Sequence, residues 1–179
     1  MGSMGKTHGL TLGKFAPLHK GHQLVIETAL AEMDEVSVII YDAPETTPIP
    51  LNIRAHWIRR LYPNVNVIEA WDGPTEVGNT PEIQRSHEQY IIDRLKISDI
   101  THFYSSEFYG QPMSAALGAI NRLVDPSRKR IPISGTQIRQ NPFLGREFIS
   151  PLLYPGVSRF NHQYCIFGGS IHRQNNDRS

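Results

Sequence analysis

The sequence predicts an α/β protein with a Rossmann-like, doubly wound parallel sheet of about five strands. Three observations carry the prediction. Short β-branched runs alternate with segments of helical periodicity along most of the chain. The first such pair is joined by a turn containing Gly13 and Pro17, as in the opening unit of a parallel sheet. The loops richest in phosphate-binding side chains follow expected strands, and such sheets bind ligands at the carboxyl ends of their strands.

Taken in order, Leu10-Thr11-Leu12 opens the sheet and Gly13 ends the strand. Gly21 precedes a helix whose apolar positions are Leu24, Val25, Ile26, Ala29, Leu30 and Met33. Glu35–Tyr41 (EVSVIIY) reads as a buried strand. Asp42–Pro50 carries three prolines and reads as the loop at its carboxyl end. Leu51–Leu61 has helical spacing and Pro63 stops it. Asn64–Ala70 is the third strand and Trp71–Glu82 a loop. A helix from about Pro81, at the first helical position, runs to Leu95. Ile100–Ser105 is the fourth strand, Gln111–Ala119 a short helix and Arg122-Leu123-Val124 the fifth strand. Ser134 or Thr136 caps the next helix, which Asn141-Pro142 ends. Arg146–Leu153 reads as a last short helix.

The first turn has a chemical character of its own. A strand–turn–helix junction offers unpaired backbone N–H groups and a helix N-terminus, both suited to phosphate. Lys14, His19, Lys20 and His22 add side-chain donors to the same turn. His19 and His22 lack nearby third and fourth ligands, so no metal site is expected from them.

Composition bounds the rest. A chain of 179 residues suits one domain, and a formal net charge of +1 argues against a general polyanion surface, hence against nucleic acid. The single cysteine, Cys165, excludes an internal disulfide and a cysteine-based zinc site. No run approaches the roughly 18 apolar residues that cross a membrane. With no cleavable signal visible, the expected location is the cytoplasm. Residues 1–3 read as a cloning remnant ahead of Met4.

The stretch GKFAPLHKGH, ending at His22, resembles the HxGH motif of the nucleotidyltransferase superfamily. Ile133–Arg139 (ISGTQIR) resembles that superfamily's ISxTxxR motif. Together with YSSEFYG (Tyr104–Gly110) and DPSRKRIPISGTQIRQNP, they are most similar to one branch. That branch is the nicotinamide-nucleotide adenylyltransferase domain of the bifunctional adenylyltransferase/ribosylnicotinamide kinase proteins. The resemblance covers roughly residues 8–153. It implies transfer of AMP from ATP to nicotinamide mononucleotide, giving NAD and pyrophosphate. Other phosphorylated acceptors, cytidylyl transfer and a non-catalytic nucleotide sensor are the alternatives.

The resemblance also implies residue roles. His19 and His22 contact the phosphates and stabilise charge on the α-phosphate, as imidazolium donors. Lys14 and Arg139 neutralise the triphosphate. Gly13, Phe15 and Gly21 shape the ATP loop, and Ser134 and Thr136 donate at a helix start. Mg²⁺ is held mainly through ATP phosphates. For the acceptor, Arg54 matches an arginine that faces the active site in the family; the residues alone equally allow a solvated helix arginine. Arg128 is available for the acceptor's phosphate and Glu107 for its ribose or pyridinium. The family's ring-holding tryptophans are absent from PEIQRSHEQYIIDRL, which leaves Trp71 or Tyr109 for that task. His87 and His102 are expected to be structural or solvent-facing. The expected domain spans residues 4–153. Residues 154–179, with YCIFGGS but no complete phosphate loop, read as a tail, the remnant of a fused kinase domain. Homo-oligomerisation is left open.

Overall fold

A computed structural model describes residues 5–107, 109–143 and 145–160. Five strands form one sheet: β1 (His8–Gly13), β2 (Glu35–Tyr41), β3 (Asn66–Ala70), β4 (His102–Ser105) and β5 (Ile120–Leu123). Their order is β3-β2-β1-β4-β5, and every pairing is parallel. The helices are α1 (Lys20–Glu32), α2 (Leu51–Leu61), α3 (Pro81–Gln89), α4 (Gly110–Leu117) and α5 (Gly135–Gln140).

The alternation within β2 explains the two-layered cover. Val36, Val38 and Ile40 enter the core beneath α1, α2 and α5, with Leu18, Ile26, Ile58 and Ile138. Ile39 and Tyr41 enter the core on the other face, with Leu10, Ile91, Phe103 and Met113. A strand with apolar residues on both faces is what a doubly covered parallel sheet requires. The winding reverses between β1 and β4, so a crevice opens above their carboxyl ends.

Several boundaries differ from the sequence expectation. The fifth strand starts at Ile120 and ends at Leu123, because its ladder on β4 pairs His102 with Ile120 and Ser105 with Leu123. The short helix before it stops at Leu117, where Gly118 adopts φ +64°, a left-handed cap that favours glycine. α3 continues as a π-helical segment, Tyr90–Arg94, which turns Tyr90 and Ile91 into the core. Only Arg146–Phe148 of the expected last helix is helical, as a 3₁₀ turn.

The packed unit also runs past residue 153. Residues 154–160 are helical and Val157 is fully buried. A Cβ on Gly156 would lie 3.0 Å from the Trp57 ring of α2, so glycine allows this close approach. The expected tail therefore begins by completing the core. Residues 1–3, read above as a cloning remnant, and the YCIFGGS segment lie outside the described residues. Among the described residues, no helix is long and apolar enough to cross a membrane.

Candidate active site

The HxGH spacing is a helix cap. His19 is the N-cap of α1, and its Nδ1 accepts the Gly21 N–H at 3.1 Å. His22 sits three residues on, and its Nδ1 accepts the His19 N–H at 3.4 Å. Two histidines thus form the reciprocal box usually made by serine and glutamate. Their rings stack at 3.7 Å between centroids. A Cβ on Gly21 would meet the His19 ring at 2.9 Å, so only glycine leaves the ring in place. The cap bond fixes the His19 tautomer: with Nδ1 accepting, the ring proton resides on Nε2.

Burial biases both rings toward the neutral form, whereas imidazolium is the expected donor form. Burial, reinforced by Arg128 and Arg139, lowers the His19 pKa to about 4. His22 is held well below its ordinary value by burial, then by His19, Arg128 and Arg139; a hydrogen bond with the Pro17 backbone opposes this without prevailing. Arg128 and Arg139 line the same cavity and bring positive charge beside the pair.

The second motif closes on the first. Ser134 caps α5: its hydroxyl accepts the Gln137 N–H at 3.2 Å, while Gln137 Oε1 accepts the Ser134 N–H at 2.9 Å. Ser134 lines the cavity, but its hydroxyl is committed to the helix. Thr136 does not cap; its hydroxyl accepts from Arg139 Nη2 at 3.0 Å. Arg139 Nη1 donates to the Ala16 carbonyl at 2.5 Å, tying α5 to the β1–α1 turn. Lys14 Nζ is held by Glu45 Oε1 at 2.6 Å and by the Thr46 hydroxyl at 3.0 Å.

The two motifs border one cavity of about 690 Å³ above β1 and β4, a volume suited to a nucleotide-sized ligand. Gly13, Phe15, Gly21 and both histidines line it, as do Lys14, Thr136 and Arg139. Phe15 is buried and meets the His22 ring edge-on at 4.9 Å. Of the expected acceptor residues, Glu107, Tyr109 and Arg128 line the cavity. Glu107 and Arg128 form an ion pair at 3.3 Å.

Arg54 and Trp71 do not line it. Arg54 is neither solvated nor aimed at a ligand; it is fully buried. Its Nε donates to Ile49 O at 2.9 Å, and its Nη1 to Tyr41 O at 3.0 Å and to Lys14 O. It clamps the ends of β1 and β2 together from behind. Trp71 is 56% exposed and donates to Glu69 Oε2 at 3.0 Å, outside the cavity. It follows β3, the edge strand two positions from β1 in the sheet.

Sequence reasoning missed three residues. Tyr41 and His87 both line the cavity, their rings edge-on at 5.5 Å. His87 also pairs with the Glu76 carbonyl at 3.0 Å, bringing the 71–80 loop over the site. Asp125 accepts the N–H groups of Lys129, Arg130 and Ile131 at 3.0–3.1 Å and so folds the loop that carries Arg128. Only Asp125 left a signal, as the aspartate of an Asp-Pro turn ahead of a basic run. Among the described residues, no group of three or more His, Cys, Asp or Glu side chains is placed to hold a metal ion.

Comparison with known proteins follows the same motifs. Residues 10–141 match the family described as cytidylyltransferase-like. The curated trifunctional NAD biosynthesis/regulator protein NadR of Escherichia coli is 28% identical over 183 residues, covering 92% of this chain and 43% of that protein. Its counterpart from Salmonella typhimurium is 27% identical over the same shares. The chain therefore spans less than half the length of these relatives. Among solved structures, NadR in complex with NR superposes with a TM-score of 0.60 at 25% identity, over 83% of this chain and 45% of that one. A bifunctional NMN adenylyltransferase/ADP ribose pyrophosphatase from Francisella tularensis has a TM-score of 0.59 at 17% identity, over 97% and 58%.

Proposed function

The chain belongs to the cytidylyltransferase-like family, and from that premise we propose that it transfers the adenylyl group of ATP to nicotinamide mononucleotide. The observation that carries this is the joining of two phosphate-binding motifs across one cavity, through the bond from Arg139 to Ala16. A phosphate oxygen of the acceptor attacks the α-phosphorus in line. The bond to the α,β-bridging oxygen breaks, and pyrophosphate leaves with that electron pair. The nucleophile is already anionic, so alignment and charge stabilisation supply the catalysis.

Each residue has a role consistent with its position. The imidazoles of His19 and His22 meet charge building on the α-phosphate. Arg139 grips the leaving phosphates with its planar fork, and Lys14 exchanges Glu45 for phosphate as ATP enters. Arg128 is offset by Glu107 until an acceptor phosphate displaces the carboxylate. Glu45 and Glu107 are each paired with a cation, so the donor set fits a Mg²⁺ ion held through ATP's own oxygens. That ion would neutralise phosphate charge.

The kinship with proteins named for NAD biosynthesis supports an acceptor of this class. A pyrophosphate-release screen of ATP and CTP against phosphorylated acceptors tests it. The expected result is release with ATP and nicotinamide mononucleotide, with NAD as product. Activity on phosphopantetheine alone would reassign the branch. ATP binding without release for any acceptor would make the protein a sensor.

A further inference from the structure

Resting on the adenylyl-transfer reading, we infer that Arg54 is a positioning residue for the triphosphate. It fixes the Lys14–Phe15 peptide and thereby sets where the Lys14 ammonium meets ATP. Arg54 comes from α2, is fully buried and does not line the cavity. It therefore acts through other residues.

The chain turns sharply where Arg54 holds it. Gly13 ends β1, and Phe15 takes φ +47°, a left-handed conformation that an aromatic L-residue rarely adopts. Such a conformation persists where the surroundings enforce it. Arg54 Nη1 supplies the enforcement by donating to the Lys14 carbonyl, the oxygen of the peptide between Lys14 and Phe15. The plane of that peptide governs ψ of Lys14 and φ of Phe15. Before it in the chain, Lys14 lines the cavity, where Glu45 and Thr46 hold its Nζ. After it, Phe15 turns into the core.

The same guanidinium fixes the facing loop. Its Nη1 also donates to Tyr41 O at 3.0 Å, and its Nε to Ile49 O at 2.9 Å. Those two carbonyls bracket residues 42–48, which include Glu45 and Thr46, the partners of Lys14. One side chain thus sets both members of the Lys14–Glu45 pair. A fully buried cation is a costly way to join two segments. Its ion pair with Asp42 spans 3.6 Å, and Nη2 has no hydrogen-bond partner among the described residues. What the charge provides is geometry. A planar fork reaches carbonyls from three segments at fixed angles, and a lysine ammonium does not reproduce that.

The test measures the affinity of the full chain for ATP and for AMP by calorimetry, with Mg²⁺ present. R54K keeps the charge and loses the fork. It should weaken ATP about tenfold and AMP less than about twofold, because AMP lacks two of the three phosphates. K14A should also weaken ATP, and adding R54K to K14A should change ATP affinity by less than about twofold. In an R128A background, on the loop after β5, R54K should keep its full effect. If R54K lacks a cooperative urea transition, D42N carries the test. It removes the carboxylate beside Nη2 and should show the same pattern at about threefold. Equal losses for ATP and AMP would overturn the inference, because a general disturbance of the turn weakens both. So would additive losses for R54K and K14A, or unchanged ATP affinity in either single variant. Absence of NAD from the wild type with ATP, Mg²⁺ and nicotinamide mononucleotide would overturn the adenylyl-transfer reading, while the titrations still decide the role of Arg54.

Discussion

At the scale of single residues, His19 and His22 serve structure and chemistry with different atoms. Each Nδ1 accepts a backbone N–H of the α1 cap, which leaves the Nε2–H of His19 as a donor, while the His22 ring also bonds the Pro17 backbone. Replacing His22 by Asn should lower kcat about 10²- to 10³-fold, the usual cost of one transition-state donor, while KM for ATP changes little. Steady-state kinetics at saturating acceptor measure this, and a near-normal kcat would remove His22 from the mechanism. The same burial couples the site to pH. Both histidines are held below their ordinary value of 6.5, His19 near 4. Between those values the unfolded chain binds more protons than the folded one, so stability is fully present above pH 6.5 and is lost as pH falls toward 4. Denaturant unfolding from pH 7 to pH 4.5 should show this slope, and the His19→Asn/His22→Asn double variant should flatten it.

At the scale of elements, the loop from Asp125 to Ile131 shows how a segment without regular structure is given one shape. The Asp125 carboxylate collects three backbone N–H groups, and Asp125 and Arg128 take φ values of +49° and +51°. Those conformations oppose L-residue sterics and persist because the carboxylate bonds enforce them. Asp125→Asn should weaken that enforcement and lower kcat/KM roughly tenfold by misplacing Arg128. In a double-mutant cycle, Arg128→Ala should absorb most of the effect. Additive losses would show that Asp125 acts elsewhere. Arg54 works in the same manner at the end of β2, donating to the carbonyls of Ile49 and Tyr41.

At the scale of the whole molecule, the helical residues 154–160 belong to the folded unit. Val157 is fully buried with Leu153 and Ile149 in the core beneath α2. Truncation after residue 153 should therefore lower stability by several kcal/mol, of which Val157→Ala alone accounts for about 2 kcal/mol. Truncation after residue 160 should keep these contacts. Urea unfolding of the two truncations distinguishes them, and equal stabilities would show that the helix contributes nothing.

The sequence by itself determined the sheet, most of its helices and the presence of the two motifs. These are local in origin: β2 and α2 follow from periodicity over a few residues, and the cap at Ser134 from the residue type ahead of α5. What only the tertiary structure decided is which side chains share a volume. Arg54 and Trp71 are reasonable ligand residues by type, yet one is sealed behind β1 and β2 and the other exposed beyond the crevice. Tyr41 reads from sequence as one more apolar position of a buried strand, and its unpaired hydroxyl exists only once Gly73, His87 and Tyr90 enclose it. The charge of the histidines was likewise not local. Desolvation by the closed turn, with Arg128 brought in from a loop and Arg139 from α5, lowers their pKa values, and neither cause is expressed by the nearest neighbours in the chain.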